Sequence, residues 1–63
     1  MFITKAKKER AKWDLYMAQL CLSVAKVDRD RSADLAYDAM CLREDAIRKL
    51  GYKNAYEMAN TLN

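Results

Sequence analysis

Apolar residues in the first 27 positions recur at spacings of three and four, and they form two rows. Phe2, Ala6, Trp13, Met17, Leu20, Val24 and Val27, with Tyr16 at the edge, make the row of large side chains. Ala11, Leu15, Ala18, Leu22 and Ala25 make a second row, spaced four, three, four, three. At about 100° per residue the two rows lie roughly 160° apart on one helix. The pattern predicts a helix from about Thr4, a suitable N-cap, to Val27. Further along, Leu35, Ala39, Leu42 and Ala46 repeat the spacing four, three, four, with Ala36, Met40 and Ile47 beside them. This predicts a second helix that starts near Asp30 or Ser32 and ends at Leu50, where Gly51 is a natural residue to close it. Asp34 and Asp38 near its start and Arg48 and Lys49 in its last turn suit the helix dipole. A short third helix is expected from Ala55 to about Leu62, capped by Asn54.

The charged stretch Lys26–Ser32 is the expected turn. It is short, so the first two helices should fold back on each other as an antiparallel hairpin. One continuous helix is the alternative, because neither Gly nor Pro interrupts the stretch. The expected fold class is all-α: a helical hairpin plus a short C-terminal helix, residues 1–63 forming a single domain.

Two apolar rows on one helix pose a packing problem. The row of large residues is expected to pack on the second helix. A hairpin cannot bury the other row as well, and a short third helix covers only part of it. The Ala/Leu rows are therefore read as a subunit interface made of Ala11, Leu15, Ala18, Leu22, Ala25, Leu35, Ala39, Leu42 and Ala46. A lone core is marginal at 63 residues, which also favours self-association. A homodimer forming a four-helix bundle is the simplest expected assembly, with higher oligomers open.

Candidate chemistry changes this picture little. The chain has no His, and Cys21 and Cys41 are far apart without CxxC spacing, so one chain cannot supply a structural zinc site. In the hairpin the two cysteines stand level but point apart, so both read as free thiols. Two cysteines without a disulfide framework, and no apolar run of signal-peptide or membrane length, point to the cytoplasm and away from a membrane. No nucleophile–base pairing, Gly-rich phosphate loop or metal cluster is present, so neither an enzyme nor a cofactor is expected.

The net charge of +3 is uneven. Residues 1–26 hold six basic and two acidic residues, whereas residues 27–63 hold six basic and seven acidic ones. Lys5, Lys8 and Lys12 share one side of the first helix, continued by Gln19, Ser23 and Lys26. This row is a candidate phosphate-contacting stripe or a plain solvated face. Arg43 lies within the apolar arc of the second helix, and Arg10 borders the large apolar row of the first, with Asp14 and Glu9 as candidate partners. Each arginine is read as one half of an ion pair at a subunit contact, or, with nearby tyrosines, as part of a pocket for an anionic ligand such as a phosphate or nucleotide. Tyr37, near Cys41, Glu44 and Arg48, is a candidate contact hot spot or a scattered surface aromatic.

Two segments resemble known families. Ile47-Arg48-Lys49-Leu50-Gly51-Tyr52-Lys53-Asn54, continuing through Met58 and Leu62, looks like the second helix-turn-helix of AraC-type activators, although Ile47 stands where that family usually has Ala. The resemblance implies DNA recognition by the last helix. Val27-Asp28-Arg29-Asp30 with Ala33-Asp34-Leu35 is similar to the turn of the Rop family of plasmid copy-control proteins, although Arg10 falls at a core position of that alignment. That resemblance implies a hairpin that dimerises and binds paired RNA loops through its first helices. The sequence as a whole is read as a small oligomeric binding protein, a regulator or inhibitor of the kind phages and plasmids encode. It is expected to act stoichiometrically on a host protein or a small anionic ligand. The alternative is an RNA- or DNA-binding regulator using Lys5, Lys8, Lys12 and Lys26.

Overall fold

The computed structural model describes residues 3–62. Phe2, assigned above to the large apolar row, lies outside them. Helix α1 runs Lys5–Val27, a 3-10 turn covers Arg29–Arg31, α2 runs Ser32–Leu50 and α3 runs Tyr52–Thr61. The described residues thus form an all-α antiparallel hairpin followed by a short third helix. The ends of α1 follow local chemistry. Thr4 stands in an extended conformation and its hydroxyl accepts a hydrogen bond from the Lys7 backbone N–H at 3.2 Å. At the other end the Asp28 N–H donates to the Val24 carbonyl at 2.8 Å, and the 3-10 turn then reverses the chain.

The corner between α2 and α3 rests on Gly51. Its φ of 84° and ψ of 160° lie in a region that glycine occupies and other residues avoid. The Gly51 N–H donates to the Ile47 carbonyl at 2.7 Å, and the Gly51 carbonyl accepts from the Ala55 N–H at 3.0 Å. One residue therefore closes α2 and opens α3. This corrects the expected start of the last helix: α3 begins at Tyr52, and Asn54 sits inside it. The Asn54 side chain instead donates to the Leu50 carbonyl at 3.1 Å, supplying a partner to a terminal carbonyl of α2.

The core reverses the expected use of the two faces of α1. Ala11, Leu15 and Ala18 of α1 are buried, as are Leu35, Ala39, Ala46 and Leu50 of α2 and Ala55 of α3. The Ala/Leu rows are thus the seam within one chain. Ala11, Leu15, Ala18, Leu35, Ala39 and Ala46 are consumed there, and Leu22, Ala25 and Leu42 are half-buried along the same rows. The six buried members are therefore spent within one chain and not at the subunit interface expected of them, while Leu22, Ala25 and Leu42 keep part of their surface. The physical reason is size matching. Alanines on both helices let the axes approach closely, and the leucines of the two rows fill the space between them. The row of large residues has no matching row on α2. Trp13, Tyr16, Met17, Leu20, Val24 and Val27 all remain exposed, Trp13 by 62% and Val27 by 82%.

Helix α3 lies across the hairpin. Ala55, Met58, Ala59 and Leu62, with Ile3 and Ile47, pack on the cluster of Ala11, Leu15, Ala46 and Leu50. One partly buried ion pair ties α1 to α2, Lys49 Nζ to Asp14 Oδ2 at 2.6 Å. Among the described residues no helix is long and apolar enough to cross a membrane.

Candidate binding surfaces

The outer face of α1 carries six of the ten exposed large hydrophobic residues among those described. Counting 100° per residue, Trp13, Met17, Leu20, Val24 and Val27 fall within about 80° of one another, with Tyr16 bordering them. They point almost directly away from Ala11, Leu15 and Ala18, which face α2. Trp13 and Tyr16 meet edge to face, with ring centroids 5.8 Å apart, a geometry that fixes both rings on the surface. The chain's only tryptophan therefore sits outside its own core. A contiguous apolar strip of this kind marks a contact surface more often than it marks plain exposure.

Arg10 lies one turn before Trp13 on the same side of the helix and is exposed. Neither expected partner pairs with it: Asp14 is engaged by Lys49, and no ion pair of Arg10 with Glu9 is present among the described residues. Arg10 is also far around the helix from the groove that contains Arg43, so the two arginines do not share a pocket.

That groove runs between the C-terminal half of α1, α2 and α3, with a volume of about 550 Å³. Leu15, Leu22, Ile47, Ala55 and Ala59 form its apolar floor. Gln19, Ser23, Lys26, Arg43, Tyr52, Tyr56 and Asn60 supply its polar walls. Two cations line it and no carboxylate does. Arg43 is exposed, and among the described residues it makes no ion pair. The sequence singled out Arg43 and Lys26 separately. The hairpin sets both along one side, and α3 closes that side into a groove, a return that a helical period cannot reveal.

The lysine row is exposed but does not form one stripe. Lys8 lines a second recess with Ile3, Leu50, Asn54, Glu57, Met58 and Thr61, whereas Lys26 lines the groove on the other side of α3. The body of α3 stands between them, and Glu57 adds a negative charge on the Lys8 side. Lys5 and Lys12 are exposed beside this interruption. Tyr37 is exposed on the back of α2, and Arg48 is held by Asp45 one turn earlier at 3.5 Å. The two therefore share a solvated helix face with no recess beside it among those described. Cys21 and Cys41 are free and half-buried. No group of three or more potential metal ligands occurs among the described residues. The helix–Gly–helix corner forms as the activator resemblance implies, but its turn is Gly51 alone, shorter than the three or four residues that set a recognition helix.

No protein-family model, no curated protein and no solved structure matches this chain.

Proposed function

We propose that this protein is a non-catalytic binding protein that acts by stoichiometric association, with the outer face of α1 as its contact surface. The exposure of Trp13, Met17, Leu20, Val24 and Val27 in one strip supports this reading. Among the described residues the buried side chains are alanines and leucines, and Trp13 and the four tyrosines remain exposed. Covering that strip removes from water the apolar area that the chain's own core leaves exposed. Native mass spectrometry of the protein purified from its own cells reports subunit number and any partner together. A complex heavier than the 7.3 kDa chain, lost on Leu20→Asp while helicity by circular dichroism persists, supports the reading. A bare monomer, or a complex indifferent to Leu20→Asp, contradicts it.

A second reading rests on the groove. Two cations, two tyrosines and an apolar floor, with no carboxylate, suit an amphipathic anion. A nuclear magnetic resonance titration with octanoate and with phenyl phosphate tests it. Shifts confined to Gln19, Ala55, Tyr56 and Ala59, and abolished by Arg43→Ala, support the reading. Shifts that are absent, or unchanged in that variant, contradict it.

A further inference from the structure

The heptad spacing of the α1 strip permits an antiparallel partner, and the charges at its two ends select the occupant. Its layers read Arg10, Trp13, Met17, Leu20, Val24, Val27 at spacings of three, four, three, four and three. Reversing the order returns the same spacings. We infer that the strip is covered by a second copy of this chain, with the two α1 helices antiparallel and the two-fold axis between Met17 and Leu20. This rests on the reading of α1 as the contact face and adds the partner and the pairing.

In that register Met17 of each copy stands level with Leu20 of the other, Trp13 with Val24, and Arg10 with Val27. Large meets small at the Trp13 layer, which is how two helices interdigitate. A two-fold axis perpendicular to the helices keeps each flank of the strip on the same side in both copies. Arg10 and the continuation of the helix to Asp28 lie on the same flank at 100° per residue. Arg10 of one copy therefore meets Asp28 of the other, at both ends of the interface. Both groups are available. Among the described residues neither has an ion-pair partner, and the Asp28 side chain makes no capping hydrogen bond. Asp28 also sits at the negative end of the α1 dipole, where an acidic side chain is unfavourable and an approaching guanidinium is favourable.

Other pairings lose these features. A parallel pair stacks Trp13 on Trp13 and keeps Arg10 and Asp28 at opposite ends of the interface, so the two charges never meet. An antiparallel pair shifted by one heptad in one direction places Arg10 against Leu20. Shifted in the other direction it leaves Trp13 uncovered. The strip points directly away from α2, so the dimer is a row of helices, α2–α1–α1–α2, and not the closed four-helix bundle expected from the sequence.

Sedimentation equilibrium on the full chain tests the pairing. The wild type is expected to sediment at twice the chain mass at micromolar concentration. Arg10→Asp and Asp28→Arg are each expected to weaken the dimer about tenfold, because every reversal acts at two symmetry-related sites. An equimolar mixture of the two variants restores tight dimers, since each copy then supplies what the other lacks. Circular dichroism on each variant verifies that the helices remain. A monomeric wild type overturns the proposal, as does a mixture no tighter than its components. A dimer abolished by Leu20→Asp but blind to both charge reversals overturns the antiparallel pairing and leaves the α1 face standing. A dimer indifferent to Leu20→Asp removes the face as well.

Discussion

At the scale of single residues, the fold depends on a few positions whose chemistry is local. Gly51 is the clearest. A Cβ built there meets nothing within 4 Å, so space is not the constraint. The backbone conformation is, because L-residues avoid a φ of 84° combined with a ψ of 160°. Gly51→Ala should therefore destabilise the chain by about 1–3 kcal/mol, read as a lower midpoint in thermal or urea unfolding. A synthetic chain with D-alanine at this position should keep wild-type stability. Equal loss with both residues would place the constraint in packing instead. Asp14 and Lys49 offer a second residue-level test. Their pair is partly buried, with side-chain exposures of 19% and 32%, and a double-mutant cycle to Asn and Met should give a coupling of about 0.2–1 kcal/mol that falls with added salt. The caps at Thr4 and Gly51 were legible in the sequence because they depend only on neighbours in the chain. The role of Asn54 was not. A cap and an internal residue bonding back to the preceding helix carry the same local signature, and the one-residue corner decides between them.

At the scale of helices, periodicity located α1 and α2 almost to the residue, while the choice of face went the other way. Both rows of α1 have helical spacing, so the spacing alone does not rank them. Large side chains suggest a core because they bury more area each. The seam is decided instead by complementarity. Leu35, Ala39, Leu42 and Ala46 match the α1 row of Ala11, Leu15, Ala18 and Leu22 in kind and order, and no α2 row matches Trp13, Met17, Leu20 and Val24. The signal was present in the sequence as two matching rows, and it denotes neighbours within the hairpin. The consequence is measurable on dilute protein. Leu15→Ala should cost about 2–5 kcal/mol, whereas Leu20→Ala, at a position 42% exposed, should cost less than about 1 kcal/mol. Equal losses would mean that the large row carries the intrachain core. The groove was legible only in part, because Arg43 and Lys26 come to line one recess when α3 supplies its third wall, and the direction in which α3 returns is set by Gly51 and by packing against Leu15 and Ala46.

At the scale of the whole molecule, shape explains why a strip is left over. The chain measures 41 × 19 × 18 Å with a radius of gyration of 12.2 Å, against about 11 Å for a compact domain of this length. It is a rod two helices thick along most of its length, so each long helix keeps an outer side. On α2 that side carries Tyr37 and Met40 among Ala33, Glu44 and Arg48, with no row of large side chains. On α1 it carries the apolar strip. Trp13 belongs to this surface, towards its N-terminal end, and is the only tryptophan, which makes its fluorescence a direct report on whether the strip is covered. The most direct measurement follows its emission maximum and acrylamide quenching across a dilution series, for the wild type and for Leu20→Asp. The account predicts blue-shifted, protected emission at high micromolar concentration that turns red and quenchable on dilution, with the variant red and quenchable throughout. Wild-type emission that stays solvent-exposed at every concentration would contradict it.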